Sequence, residues 1–313
     1  MTSRTRPVAA GGLVCACLAV VSLAIPLLAA PDRPVGMTRS AVAVPSASAP
    51  ALVPTIPDLA FTLAPLPTGS AQAAVDAAQS TAAPTTELGV AVLDRTTGEA
   101  AVGDRGAEPF YTASLSKLVV AVDVLDRRRT EGLVVTDDDL DLIRRALGPS
   151  DDSAMNALWV RFDGVGAAAR VSADLGLTGT TAPDDPSQWG EMSVSATDYL
   201  RVYDYVLGEM PADDRAVVVD ALSAAPSIAA DGFDQAFGLL DPVVDGAGGV
   251  GAHAKQGWMC CFSGQYYLHS AGTVGLDQRY VVSVLTRVPT GPGWSAARAE
   301  VTAVAAAAVE ALG

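Results

Sequence analysis

From residue 70 onward, apolar and polar positions fall into short blocks separated by turn residues. "SAQAAVDAAQSTA" (70–82) reads as a helix with Ser70 as its cap. In "ELGVAVLDRTTGEAAVGD" (87–104) two apolar runs flank Arg95-Thr96-Thr97-Gly98, the pattern of a β-hairpin. Residues 114–128 place Leu118, Val119, Ala121, Val122 and Leu125 at helical spacing. Helical patterns continue through 137–178 ("DDLDLIRRAL", "SAMNALWVRF", "GAAARVSADLG") and through 195–224. "YVVSVLTRV" (280–288) predicts a buried strand, and "KQGWMCCF" and "QYYLHSA" supply two more. "WSAARAEVTAVAAAAVEAL" is a long closing helix with Ser295 as its cap. The order helix, two strands, many helices, three strands, helix predicts an α+β chain. Its antiparallel sheet is assembled from both ends, with a mainly helical subdomain (135–250) inserted between them.

The first 69 residues follow a different pattern. Arg4 and Arg6 precede an almost wholly apolar run from Val8 to Ala30, so residues 1–30 read as a signal peptide or a membrane anchor. Small residues before a polar, Pro-rich stretch favour cleavage. Cys15 and Cys17 lie inside the apolar run, whereas a lipidated cysteine should close it. Residues 31–69, rich in Pro, Ala and Ser, read as a disordered linker, and the folded domain is expected over 70–313. The chain is therefore expected to be secreted or held at the cell envelope, with a possible membrane tether through its N-terminus.

Charge removes one function class. The formal net charge is −15, and the longest basic run is Arg127–Arg129, so a nucleic-acid partner is not expected. With only His253 and His269 available, and in the wrong spacing, neither a metal site nor a cofactor is expected. Beyond the leader the cysteines are the adjacent Cys260 and Cys261, for which two buried thiols are the expectation. Among 20 basic residues only Lys117 and Lys255 are lysine, the compact cation that can also surrender a proton.

Both lysines lie in suggestive contexts. Ser114 and Lys117 are spaced i, i+3 at a helix start, so their side chains emerge on one face of the first turn. Helix N–H groups there favour a developing alkoxide, and a Lys in a dry pocket can take the serine's proton. Taken alone, S-x-x-K fits a capped helix with a surface lysine equally well. "SDDSAMNALW" (150–159) opens a second helix with Ser150 at its cap, and Lys255-Gln256-Gly257 lies on a late strand.

With these three elements in order, the chain resembles the class A serine β-lactamases and the related penicillin-binding D,D-peptidases, which carry S-x-x-K, S-D-N and K-T-G. The likeness covers roughly 70–313, and is looser between 135 and 250. It implies a three-layer α/β/α architecture around a five-stranded antiparallel sheet. It also implies Ser114 as acylated nucleophile, Lys117 as general base, Ser150 as proton donor to the leaving nitrogen and Lys255 as anchor of a substrate carboxylate. Asp152, Gln256, Gly257 and Trp258 would bind substrate, with the N–H groups of Ser114 and Trp258 as the oxyanion hole. The partner would be a small molecule or a peptidoglycan peptide, met by a monomer.

Departures from the family pattern bear on turnover. Asp152 replaces Asn, and an ionised Asp cannot donate to a substrate carbonyl and favours ammonium at Lys117. Gln256 replaces a hydroxyl residue. No E-x-x-L-N supplies a carboxylate for the deacylating water, and only Asp184, Asp185 and Glu191 lie in a suitable loop. His253 should share a strand side with Lys255 but reads as a polar strand end. Trp189, Trp258, Tyr266 and Tyr267 fit core packing or a cleft lining. Three functions remain open: a β-lactamase or D,D-peptidase-type hydrolase, a catalytically weak binding module on the same fold, and an unrelated esterase using the same serine.

Overall fold

The computed structural model describes residues 69–247 and 251–313. The expected leader (1–30) and all of the linker before Gly69 lie outside the described residues. Helix α1 (Ser70–Thr81) runs into the hairpin β1 (Glu87–Asp94) and β2 (Glu99–Val102). A two-residue strand β3 (Phe110–Tyr111) and a 3-10 turn (Ala113–Leu115) precede α2 (Ser116–Thr130). Next come α3 (Asp137–Leu147), α4 (Asp152–Arg161), α5 (Gly164–Leu175), the short strand β4 (Ser193–Val194), α6 (Ala196–Gly208) and α7 (Ala212–Ser223). The chain closes with α8 (Pro242–Ala247), β5 (His253–Phe262), β6 (Gln265–Val274), β7 (Tyr280–Pro289) and α9 (Trp294–Glu310).

The main sheet has the order β2-β1-β7-β6-β5 with every neighbour antiparallel, so the N-terminal hairpin docks on the last strand of the chain. Side chains alternate between two apolar layers, as the pleat requires. Val90, Val92, Val282 and Val284 face a cluster built with α1 and α9. Ala91, Val281 and Leu285 face a second cluster built with the helices from α2 to α7. Both faces are covered, so β7 is buried along nearly its whole length rather than at alternate positions. The result is an α+β domain of three layers with the five-stranded sheet in the middle.

Helix starts differ from the sequence reading. Gly69 and Gly293, not Ser70 and Ser295, stand at the N-caps of α1 and α9, and neither cap makes a side-chain bond. Asp151, not Ser150, caps α4, its carboxylate accepting from the N–H groups of Ser153 and Ala154. A carboxylate reaches two orphan N–H groups at once, which frees Ser150 for other contacts. Cys260 and Cys261 also depart from expectation. They are exposed and joined as a vicinal disulfide on the outer part of β5, where the strand has run beyond the layers that would bury it.

Candidate active site

The 3-10 turn carrying Ser114 is held from three sides. Thr112 N–H donates to Met192 O (2.7 Å), extending the small β3–β4 ladder that ties the turn to the loop before α6. Tyr199 on α6 donates its hydroxyl to Leu115 O at 2.8 Å. His269 on β6 lies 2.8 Å from Tyr111 O through Nε2, while its Nδ1 receives the Thr286 N–H at 3.1 Å. Ala113, just before the nucleophile, has φ 46°, a left-handed conformation that costs a non-glycine residue on the order of 1 kcal/mol and persists because the turn is pinned on both sides.

Lys117 follows in the first turn of α2 and is fully buried. Its Nζ lies 2.8 Å from Ser114 Oγ, 2.7 Å from Ser150 O, 3.1 Å from Ser150 Oγ and 2.6 Å from Asp152 Oδ1. Ser150 brings both its carbonyl and its hydroxyl to the lysine because its own φ is 56°. Two of these partners, a carbonyl and a carboxylate, can only accept. A neutral Lys117 amine gives its two hydrogens to them and keeps its lone pair for the Ser114 hydroxyl. Burial pushes the Lys117 ammonium below its ordinary range, while the charge and hydrogen bond of Asp152 work in the opposite direction.

Lys255 on β5 completes the constellation. Its Nζ donates to Ser150 Oγ (2.9 Å) and Gln256 O (2.8 Å), so the Ser150 hydroxyl stands between two amines. Burial, and then repulsion from Lys117, hold Lys255 well below the usual lysine range, with Asp152 and Asp231 opposing. Tyr203 on α6 anchors this end of the strand, accepting from Lys255 N–H (3.1 Å) and donating to Ala271 O (2.8 Å). At Gly257 a Cβ would stand 2.9 Å from Thr112 O, so only glycine lets β5 come this close to the serine turn.

Ser114, Lys117, Ser150, Asp152 and Lys255 are thus brought together, and Trp258 lines the same cleft. Gln256 does not line it: its carboxamide is buried and donates to Phe237 O. The cleft, of about 330 Å³, is lined by Ser114, Asp152, Asn156, Trp189, Trp258 and Met259, with Ala113 and residues 187–190 closing the rest. Trp189 donates its Nε1–H to Asn156 Oδ1 (2.8 Å), and Trp258 stacks on Phe233 and donates to Asp231 (3.0 Å). Tyr266 and Tyr267 are packed inside, the first stacked on Trp294 and the second beside Tyr111. His253 borders a different cavity, beside Leu222 and Gln235. Asp184, Asp185 and Glu191 do not line the Ser114 cleft.

Tyr199, Tyr203 and His269 thus hold the site together without belonging to any of the three sequence motifs. Only His269 left a trace, as a lone imidazole inside the otherwise apolar "YYLHSA".

No family model matches the chain. The protein named "Putative lipoprotein LppW" from Mycobacterium tuberculosis H37Rv is 32% identical over 273 residues, which cover 86% of this chain and 81% of that protein. The same figures hold for its namesake from Mycobacterium bovis. Among solved structures, a class A β-lactamase representative from Bacteroides cellulosilyticus superposes with a TM-score of 0.63 at 14% identity, over 78% of this chain and 98% of that one. A structure titled PBP-A gives 0.60 at 16% identity, over 78% and 96%. A class A β-lactamase from Mycobacterium abscessus gives 0.56 at 18% identity, over 77% and 98%.

Proposed function

Because this chain belongs to the LppW family and has the fold of the β-lactamase/transpeptidase-like superfamily, we propose that it is a serine acyl-transfer hydrolase of the cell envelope. The observation that carries this reading is the Lys117 amine, buried and 2.8 Å from Ser114 Oγ, with its hydrogens directed to acceptor-only partners. Lys117 takes the Ser114 proton as Oγ bonds to the substrate carbonyl carbon. The oxyanion meets backbone N–H groups of the serine turn and of Trp258 on the edge strand. Ser150 then passes a proton to the leaving nitrogen, replenished from the lysine on either side, and the C–N bond breaks. Water attacks the Ser114 ester, which releases the acid and restores the hydroxyl. The substrate is a lactam or a peptidoglycan-type peptide met by a single copy of the chain. Envelope placement is supported by the apolar leader expected over 1–30 and by the lipoprotein name of the relatives.

One observation favours a second reading, a slow or inactive binding module. Asp152 sits 2.6 Å from Lys117 Nζ and stabilises the ammonium, while the cleft lining holds no other carboxylate to activate a deacylating water. Intact-mass spectrometry over time separates the two, using a penicillin and a fluorophosphonate probe with Ser114→Ala as control. A covalent adduct on the wild type alone supports acyl transfer, and its decay measures turnover. Wild type and Ser114→Ala both remaining unmodified by both reagents would leave the binding module.

A further inference from the structure

We propose that the Ser114 cleft selects substrates that carry a free ammonium group on the acyl side of the scissile bond, with Asp152 as the partner of that ammonium. The inference rests on the acyl-transfer reading and narrows its substrate class to amides and esters of amino acids or peptides with an unblocked amine beside the reacting carbonyl.

The charge of the cleft points this way first. Asp152 is the single charged side chain among the residues lining it. Lys117 and Lys255 are 0% and 1% exposed, and their hydrogens are committed to Ser150, Asp152 and Gln256 O. The Asp152 side chain, by contrast, is 54% exposed. Its Oδ1 holds Lys117, which leaves Oδ2 without a hydrogen bond to the protein and free to accept from a ligand. An aspartate has no hydrogen to offer a substrate carbonyl, so the group it receives must be a hydrogen-bond donor, and among donors an ammonium satisfies it best.

The walls agree with the charge. Trp189 and Trp258 both line the cleft, and their rings already stand 4.9 Å from Lys117 Nζ and 5.8 Å from Lys255 Nζ, distances at which an indole attracts a cation. The Trp258 indole N–H is bound to Asp231, which places a second carboxylate beside the rim. The features that would hold an anion are missing. The Gln256 carboxamide is buried and spent on Phe237 O, and no arginine lines the cleft. A substrate whose chief handle is a carboxylate finds few donors here, while one whose handle is an ammonium meets an acceptor in a cleft lined by two indoles.

The reaction is otherwise that of the acyl-transfer reading. Ser114 Oγ bonds to the carbonyl carbon next to the ammonium-bearing carbon, the amine or alcohol leaves with a proton from Ser150, and water releases the free amino acid.

The test compares the p-nitroanilides of L-alanine and D-alanine, each with a free amine and as its N-acetyl form, on the wild type and on Asp152→Asn. Fluorophosphonate labelling of Ser114 runs in parallel as a check on the nucleophile. The expected result is at least tenfold higher kcat/KM for the free-amine member of one pair on the wild type, with that free-amine to N-acetyl ratio falling toward one in Asp152→Asn, whatever the variant's absolute rate. Equal or faster turnover of the N-acetyl form by the wild type would overturn the inference, as would a ratio unchanged by Asp152→Asn. Labelled Ser114 with no turnover of a free-amine substrate would also overturn it and leave the acyl-transfer reading standing. Loss of labelling together with turnover would bring both down.

Discussion

His269 should make this protein lose stability between pH 6.5 and pH 4, and the loss should vanish when the imidazole is replaced. The ring is fully buried in the sheet behind the serine turn. Its two partners prescribe one protonation state: the Thr286 N–H can only donate to Nδ1, and the Tyr111 carbonyl can only accept from Nε2–H. A second proton would set an N–H at Nδ1 against the Thr286 N–H, on a ring that is fully buried. Burial pulls the imidazole down from its ordinary 6.5 to about 4, with the Tyr111 contact working against this. In the unfolded chain the ring protonates through its ordinary value while the folded one stays neutral, so stability present above pH 6.5 drains away until about pH 4. That gap corresponds to roughly 3 kcal/mol, or about 6–12 °C in melting temperature for a domain of this size. Urea denaturation of wild type and His269→Gln at half-unit steps from pH 7 to pH 4.5 measures it. The variant should start lower, because Thr286 N–H loses its acceptor, yet run flat between pH 6.5 and 5. Parallel curves for wild type and His269→Gln in that window would refute the reasoning.

Two further outcomes follow from close contacts. Gly257→Ala places a Cβ 2.9 Å from the Thr112 carbonyl oxygen, a backbone atom that cannot rotate aside, so β5 and the serine turn must part. Fluorophosphonate labelling of Ser114 should slow at least tenfold, with stability falling by about 1–3 kcal/mol; unchanged labelling would show that the approach does not matter. Asp94 is buried, bound by Arg279 at 2.6 Å and 3.1 Å, and that contact holds its carboxyl at about 2. Its contribution is present above pH 3.8 and drains away as pH falls toward 2. Asp94→Asn should therefore lower the unfolding free energy by about 2 kcal/mol at pH 7, seen in denaturant melts that converge with the wild type in acid.

Local pattern by itself determined most of the architecture. The hairpin over 87–104, the late strands and the closing helix are encoded by alternation, turn residues and apolar runs, which act over a few residues and survive in any tertiary context. The catalytic-type residues were legible because their chemistry restricts the alphabet: only lysine offers an amine that can deprotonate, and this chain keeps lysine at two positions alone. Strand phase does not settle position 256: Gln256 and Trp258 share one side of β5, yet Trp258 lines the cleft while the Gln256 carboxamide is spent on Phe237 O. What only the tertiary structure decided are contacts between elements far apart in the chain. Tyr199, Tyr203 and His269 serve the site through bonds spanning 84, 52 and 158 residues, and no local pattern marks a partner at that distance. The same holds for Asp152. Its identity was plain from the sequence, but its place as the one charged group lining a cleft walled by two tryptophans depends on α4, the loop before α6 and β5 meeting at one point.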